Sequence, residues 1–368
     1  MFESFRIIKK FIQIVSDNPG IENTVTPYFE VGHKDIDSEK KYIKQIVDLN
    51  FPSYFLDYRY FRRESESNLE KEWVVSNDFN IFDYIDEKLK TTDEEKRSGI
   101  GIYKNLIPVI SSLKNNGSLN GGLEHYSRLY ELGRRQGYEG IGVRISISAR
   151  INLEKSELWP FLKTLNESDF LLLDLRSTIS DFDFDSYLYI LTKLISKIKL
   201  QNGKPKIILL NPITWIDLGN GVKNKRNVGH ELILKTGVHG YGDYMSESET
   251  HPRKRYNKEK QRNGSKIYYY DYLKGVTVSF PYEGRELETL KEFRNNSYLM
   301  DLEISHSPYC KYSREFLELL DGLPSTIDKF NKRRVAIKEG HYLVSIYLDA
   351  IGTTEEIRNE MERNGHKA

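Results

Sequence analysis

The chain has 368 residues, is 38% hydrophobic and 30% charged, and carries a formal net charge of +1. That length suits one large barrel with insertions, or two domains. The near-zero charge excludes a global field that would gather nucleic acid or anionic membrane, and the single cysteine, Cys310, excludes an intrachain disulfide and a Cys-based zinc site.

Residues 1–15 are apolar but interrupted by Glu3, Arg6, Lys9 and Lys10, which reads as a helix rather than a signal peptide. Residues 24–31 (TVTPYFEV) read as a strand, and residues 38–49 as a helix capped by Ser38. A second strand is expected over residues 53–60. Residues 62–99 are acid-rich with weak periodicity, the pattern of an insertion with exposed helices rather than core. Strands then follow at 106–112, 140–148, 170–176 and 206–212, separated by helices at 123–137, 156–165 and 186–200. The last helix is closed by Asn202-Gly203. Six strands separated by helix-length crossovers predict a parallel sheet. After residue 224 the pattern changes. Residues 228–235 read as a helix, 241–246 and 266–280 as strands, and 311–368 mostly as helices. The predicted fold is α/β: an irregular (β/α) TIM-like barrel over residues 1–310 with the acidic insertion near 62–99, and a helical C-terminal extension over 311–368. No run of about 18 apolar residues occurs, so neither a membrane span nor a membrane partner is expected, and a cytoplasmic setting fits the cysteine usage.

Two of the strands share an ending. Tyr54-Phe55-Leu56-Asp57-Tyr58-Arg59 and Leu171-Leu172-Leu173-Asp174-Leu175-Arg176 are apolar runs closed by Asp-x-Arg. Strand side chains alternate, so each Asp and its Arg share a face. If the strands are parallel, their C-terminal ends gather Glu30, Asp57, Arg59, Arg144, Ser146, Asp174, Arg176 and Asn211. Carboxylates there suit Mg²⁺ or Mn²⁺, or acid–base work, with Glu30, Asp57 and Asp174 as the metal candidates and Asp57, Asp174 and Asp243 as the catalytic ones. Arginines beside them suit a phosphate; Arg59, Arg144, Arg176 and Asn211 are candidate ligand-binding residues. The same residues can also form a purely structural ion network.

His239-Gly240-Tyr241-Gly242-Asp243-Tyr244 joins two glycines to three chemistry-bearing residue types, which makes His239 and Tyr241 further ligand-binding candidates. A basic segment, His251-Pro252-Arg253-Lys254-Arg255-Tyr256, runs on towards Tyr268, Tyr269, Tyr270 and Tyr272. Basic residues beside aromatics compose single-strand nucleic-acid surfaces, so Arg253, Lys254, Arg255 and Tyr269 are candidate contacts. A solvated loop leading into a Tyr-rich strand has the same composition.

The segments TPYFEV (26–31), LDYR (56–59), GVRIS (142–146), FLLLDLRS (170–177), His230-Glu231-Leu232 and GYGDY (240–244), in that order, resemble the Beta protein family of phage and bacterial genomes. At the C-terminal end the chain departs from that family, carrying Gly340-His341 in place of a Trp, a Gly and a His-His pair. The resemblance implies a phage-associated or anti-phage defence context and partners from the same system. Three functions are compatible with the residues: binding of a nucleic acid or nucleotide, metal-dependent phosphodiester cleavage, and protein interaction within a defence complex without catalysis.

Overall fold

A computed structural model describes residues 13–31, 36–48, 51–58, 80–88, 103, 105–111, 122–146, 158–175, 179–180, 184–202, 205–210, 213–217, 223–227, 229–242, 265–271 and 276–282, with scattered helical positions between 304 and 363. Seven strands form one parallel sheet: β1 (Tyr28–Val31), β2 (Tyr54–Tyr58), β3 (Leu106–Ser111), β4 (Gly142–Ser146), β5 (Phe170–Asp174), β7 (Lys206–Leu210) and β10 (Gly240–Gly242), neighbouring one another in that order. The sheet curls into a half-barrel with helices. The α/β class is therefore as expected from sequence, and all six sequence-predicted strands before residue 215 are present.

The strands are apolar on both faces because both faces are covered. One face meets the helices. Leu56, Ile110, Val143, Ile145, Leu171, Leu173, Ile207 and Leu209 join Tyr126, Leu129, Phe161, Leu191, Ile195, Ile198 and Leu232 in one core. The other face carries a second cluster drawn from strands alone: Phe55, Ile107, Val109, Leu172 and Leu210, with Tyr28, Phe170 and Ile208 against it.

Several helix boundaries differ from the sequence expectation. The first long helix is Ile36–Val47, so Ser38 lies inside it and does not cap it. The others are Gly122–Arg135, Leu158–Leu162, Phe184–Asn202 and Gly229–Thr236. Residues 80–88 correct the reading of the acidic stretch as exposed. Asn80 accepts from the Phe82 and Asp83 amides, Asp83 reaches back to the Asn80 amide, and this capping box starts a short helix. That helix buries Ile81, Phe82, Tyr84 and Ile85 in the main core. Gly133 makes room for it: a Cβ there would lie 2.6 Å from the Phe82 ring.

A second sheet has the order β11-β12-β9-β8-β6, built from β6 (Ile179–Ser180), β8 (Ile213–Asp217), β9 (Lys223–Asn227), β11 (Ser265–Asp271) and β12 (Val276–Tyr282). The stretch read as one strand over 266–280 is an antiparallel hairpin, with Tyr269 opposite Val278.

At the N-terminal end of β4 and β5, Asp169 fastens the sheet to its helices. It is fully buried. Its Oδ1 accepts from the Ile141 amide at 3.0 Å and from Arg134, and its Oδ2 from the Asn166 amide at 2.9 Å and the Tyr130 hydroxyl at 2.6 Å. Burial, and then the Asp169 hydrogen bond, push the Tyr130 hydroxyl up to about 12 from an ordinary 10.0. A phenol whose folded value is raised stabilises the fold below its unfolded value, and that contribution is lost as pH climbs to the folded one. Stability should therefore fall between about pH 10 and about pH 12. Tyr130→Phe should shed the part of that loss due to this residue, seen as a shallower fall of denaturation midpoint across the same window.

Candidate functional site at the strand ends

Paired residues on neighbouring strands face the same way, so the register fixes which side chains meet. Glu30 pairs with Asp57, Asp57 with Val109 and Val109 with Gly142. Ser111 pairs with Arg144, and Ser146 with Asp174. Asp57, Arg144 and Asp174 thus stand in three successive rows on the face away from the helices. A carboxylate cannot cross a row, whereas a guanidinium on its long stem can reach one row to either side.

Arg144 does so. Its Nη1 donates to Asp57 Oδ2 at 3.0 Å, and its Nε and Nη2 donate to Asp174 Oδ2 at 3.0 and 2.5 Å. Ser111 Oγ donates to Asp57 Oδ1 at 2.7 Å, and the Tyr28 hydroxyl donates to Asp57 Oδ2 at 2.6 Å. That hydroxyl also accepts from Arg144 at 3.3 Å. From the helical side, Tyr126 donates to the Arg144 carbonyl at 2.8 Å and fixes the strand end. Asp57, Arg144 and Asp174 are 0%, 3% and 1% exposed. Tyr28 is half-buried and is the network member that reaches towards solvent.

Among the described residues, the Arg144 guanidinium bridges the two carboxyl groups. Burial pushes the Asp57 carboxyl above its ordinary range, against the pull of the Arg144 charge and of the hydrogen bonds from Tyr28, Ser111 and Arg144. A buried carboxyl hydrogen-bonded to a half-buried phenol is a means of passing a proton outward. A fixed arginine beside it is a means of holding an anion.

Sequence reasoning named Asp57, Arg144 and Asp174, and the structure brings these three together. It missed Tyr28 and Ser111. Ser111 ends β3 and Tyr28 begins β1, both on the same face of the sheet as Asp57, so period-two alternation within TPYFEV and LIPVIS was the available signal. Glu30 lies on β1 opposite Asp57, its side chain outside the described residues. Arg59, Arg176, Asn211, Asp243, Arg253, Lys254 and Arg255 also lie outside the described residues. His239 stands apart from the network. It is exposed, and its Nδ1 accepts from the Ile207 amide at 3.0 Å. Burial, Lys199 and Lys206 hold its imidazole below the usual range. Tyr241, on β10, packs against the main core. His341 is buried and shares a 3.1 Å hydrogen bond with Ser313.

Among the described residues no three His, Cys, Asp or Glu side chains converge as a metal site, and no helix is long and apolar enough to cross a membrane. The fold and site define a curled parallel α/β protein with a buried polar network at its strand ends. No family model matches the chain, and neither does any curated protein or solved structure.

Proposed function

We propose that this chain binds a nucleotide or nucleic acid at the C-terminal ends of its parallel strands, as a phage-associated or anti-phage defence protein of the Beta protein family. One observation carries the binding reading. Five adjacent strands each send a polar side chain (Tyr28, Asp57, Ser111, Arg144, Asp174) into a single network at the edge where parallel α/β sheets hold their ligands. The phage and defence context rests on the sequence resemblance. In this reading the half-barrel belongs to an irregular TIM-like barrel with a helical C-terminal extension, the protein is cytoplasmic, and Arg253, Lys254, Arg255 and Tyr269 add phosphate and stacking contacts. Other proteins of the same system are its partners.

The hydrolytic alternative would place Mg²⁺ or Mn²⁺ on Glu30, Asp57 and Asp174. Binding is preferred because the Arg144 guanidinium, not open space, lies between the two aspartates.

The test is a panel of labelled single-stranded DNA, RNA and free nucleotides, with and without Mg²⁺ or Mn²⁺, reading both binding and cleavage. The wild type should bind a member of the panel. Asp174→Asn should weaken that binding by about tenfold or more, because it loosens the arginine. Arg253→Ala combined with Arg255→Ala should lower the salt dependence. Metal-dependent cleavage lost in Asp174→Asn would move the assignment to the enzyme. Neither binding nor cleavage would move it to an interaction subunit.

A further inference from the structure

Beside the polar network, β10 carries glycine where a strand favours larger residues. It pairs with β7 so that Gly240 stands opposite Ile208 and Gly242 opposite Leu210. The row of Ile208 continues through Leu172 to Arg144, and the row of Leu210 continues to Asp174. Both glycines therefore share the face of Arg144 and Asp174, while Tyr241 between them packs on the helical side. Gly242 lies two strand spacings from Asp174, about 10 Å. Glycine weakens a strand interior, so its presence calls for a reason. Gly142, on the same face, has one: a Cβ there would lie 3.0 Å from Val109 and 3.4 Å from Leu172. Among the described residues Gly240 has none. A Cβ there would meet nothing within 4 Å, and its φ is not positive. At Gly242 the nearest atom would be Leu210 Cδ2 at 3.3 Å, the movable end of a side chain. Two positions without side chains thus border the network, next to an apolar floor of Leu172, Ile208 and Leu210. Such a strip lets a bound group lie against the peptide planes themselves.

We propose that Gly240 and Gly242 seat the base of the bound nucleotide, flat against the β10 backbone. The proposal rests on the binding reading above and says which part of the ligand goes where. A tetrahedral phosphate gains nothing from a flat apolar strip and needs charged donors, whereas a planar ring needs a surface from which side chains are missing. The base lies over β10 beside Leu210, and the sugar phosphate runs across the strand ends towards Arg144. A side chain at position 240 would stand where the ring goes.

The experiment uses full-length protein, the labelled nucleotide or single strand that the wild type binds best, and the same probe stripped of its bases to leave the sugar phosphate. Gly240→Val fills the space with a residue that strands favour, so the melting temperature should not fall. Affinity for the full probe should drop about tenfold or more, while the base-free probe should bind both proteins alike. Equal affinity of wild type and Gly240→Val for the full probe, with Asp174→Asn still weakened, would overturn the base seat and leave the binding reading intact. An equal loss for the base-free probe would overturn the assignment of the strip to the base. No binding to the wild type would overturn both readings. If Gly240→Val does not fold, the amide resonances of Gly240 and Gly242 in wild-type protein decide. Shifts on adding the full probe but not the base-free one support the proposal, and unmoved resonances at saturation overturn it.

Discussion

Arg144→Ala should cost about 3–5 kcal/mol of folding free energy, measured by chemical denaturation at pH 7. The substitution removes a guanidinium 3% exposed and leaves Asp57 and Asp174, 0% and 1% exposed, in the same pocket without the charge that joins them. Burial already pushes the Asp57 carboxyl above its ordinary range, and removing Arg144 takes away a charge that pulls it back, so its folded-state value should rise further above the unfolded one. A carboxyl raised in the folded state binds protons there that the unfolded chain has released, which makes stability fall as pH rises. The variant should therefore lie nearest the wild type at acid pH and furthest from it near neutrality. A gap that does not widen with pH would mean that lost contacts, not stranded charge, cause the effect. Arg144→Lys keeps the charge but loses the fork that reaches both partners, and should fall between the two.

Asp169→Ala should cost a similar amount, about 3–5 kcal/mol, for a different reason. Its carboxylate accepts from two amides, a phenol and a guanidinium, and no replacement water reaches all four donors in a fully buried site. The Ile141 and Asn166 amides lie in the chain entering β4 and β5, so both strand starts are released together. This end of the sheet is opposite the polar network. Asp169→Ala should therefore lower the denaturation midpoint while leaving ligand affinity unchanged at temperatures where the variant is folded. A matching loss of affinity would show that the two ends are coupled.

The contrast between Asp169 and the strand-end pair Asp57 and Asp174 shows what was legible in sequence. Asp57 and Asp174 close apolar runs, so their strand-end position could be read from the pattern around them. Asp169 precedes its run, among Asn166, Glu167 and Ser168, and looks like an ordinary loop residue. Its role depends on Tyr130 and Arg134, more than thirty positions earlier, and no local pattern encodes that pairing. Ile81, Phe82, Tyr84 and Ile85 were hidden similarly, because charged residues on either side dilute the apolar signal in any window long enough to judge a helix. β9 reads KNKRN, with no apolar residue to alternate, and its place comes from pairing with β8 and β12. Boundary errors followed from weak competition. Ser38 is a good cap, yet the helix begins two residues earlier, at Ile36.

The second sheet leaves the first from one side only. β6 begins five positions beyond the last residue of β5, β8 begins three beyond β7, and β11 follows β10, so each excursion departs from a C-terminal strand end. The two sheets are threaded through one another along the chain and cannot be parted by a single cut. A protease that nicks one connecting segment should yield pieces that stay together until denatured. A gene fusion or recombination event that moved either sheet alone would need several breakpoints at once, so the pair is expected to travel through genomes as one inseparable unit.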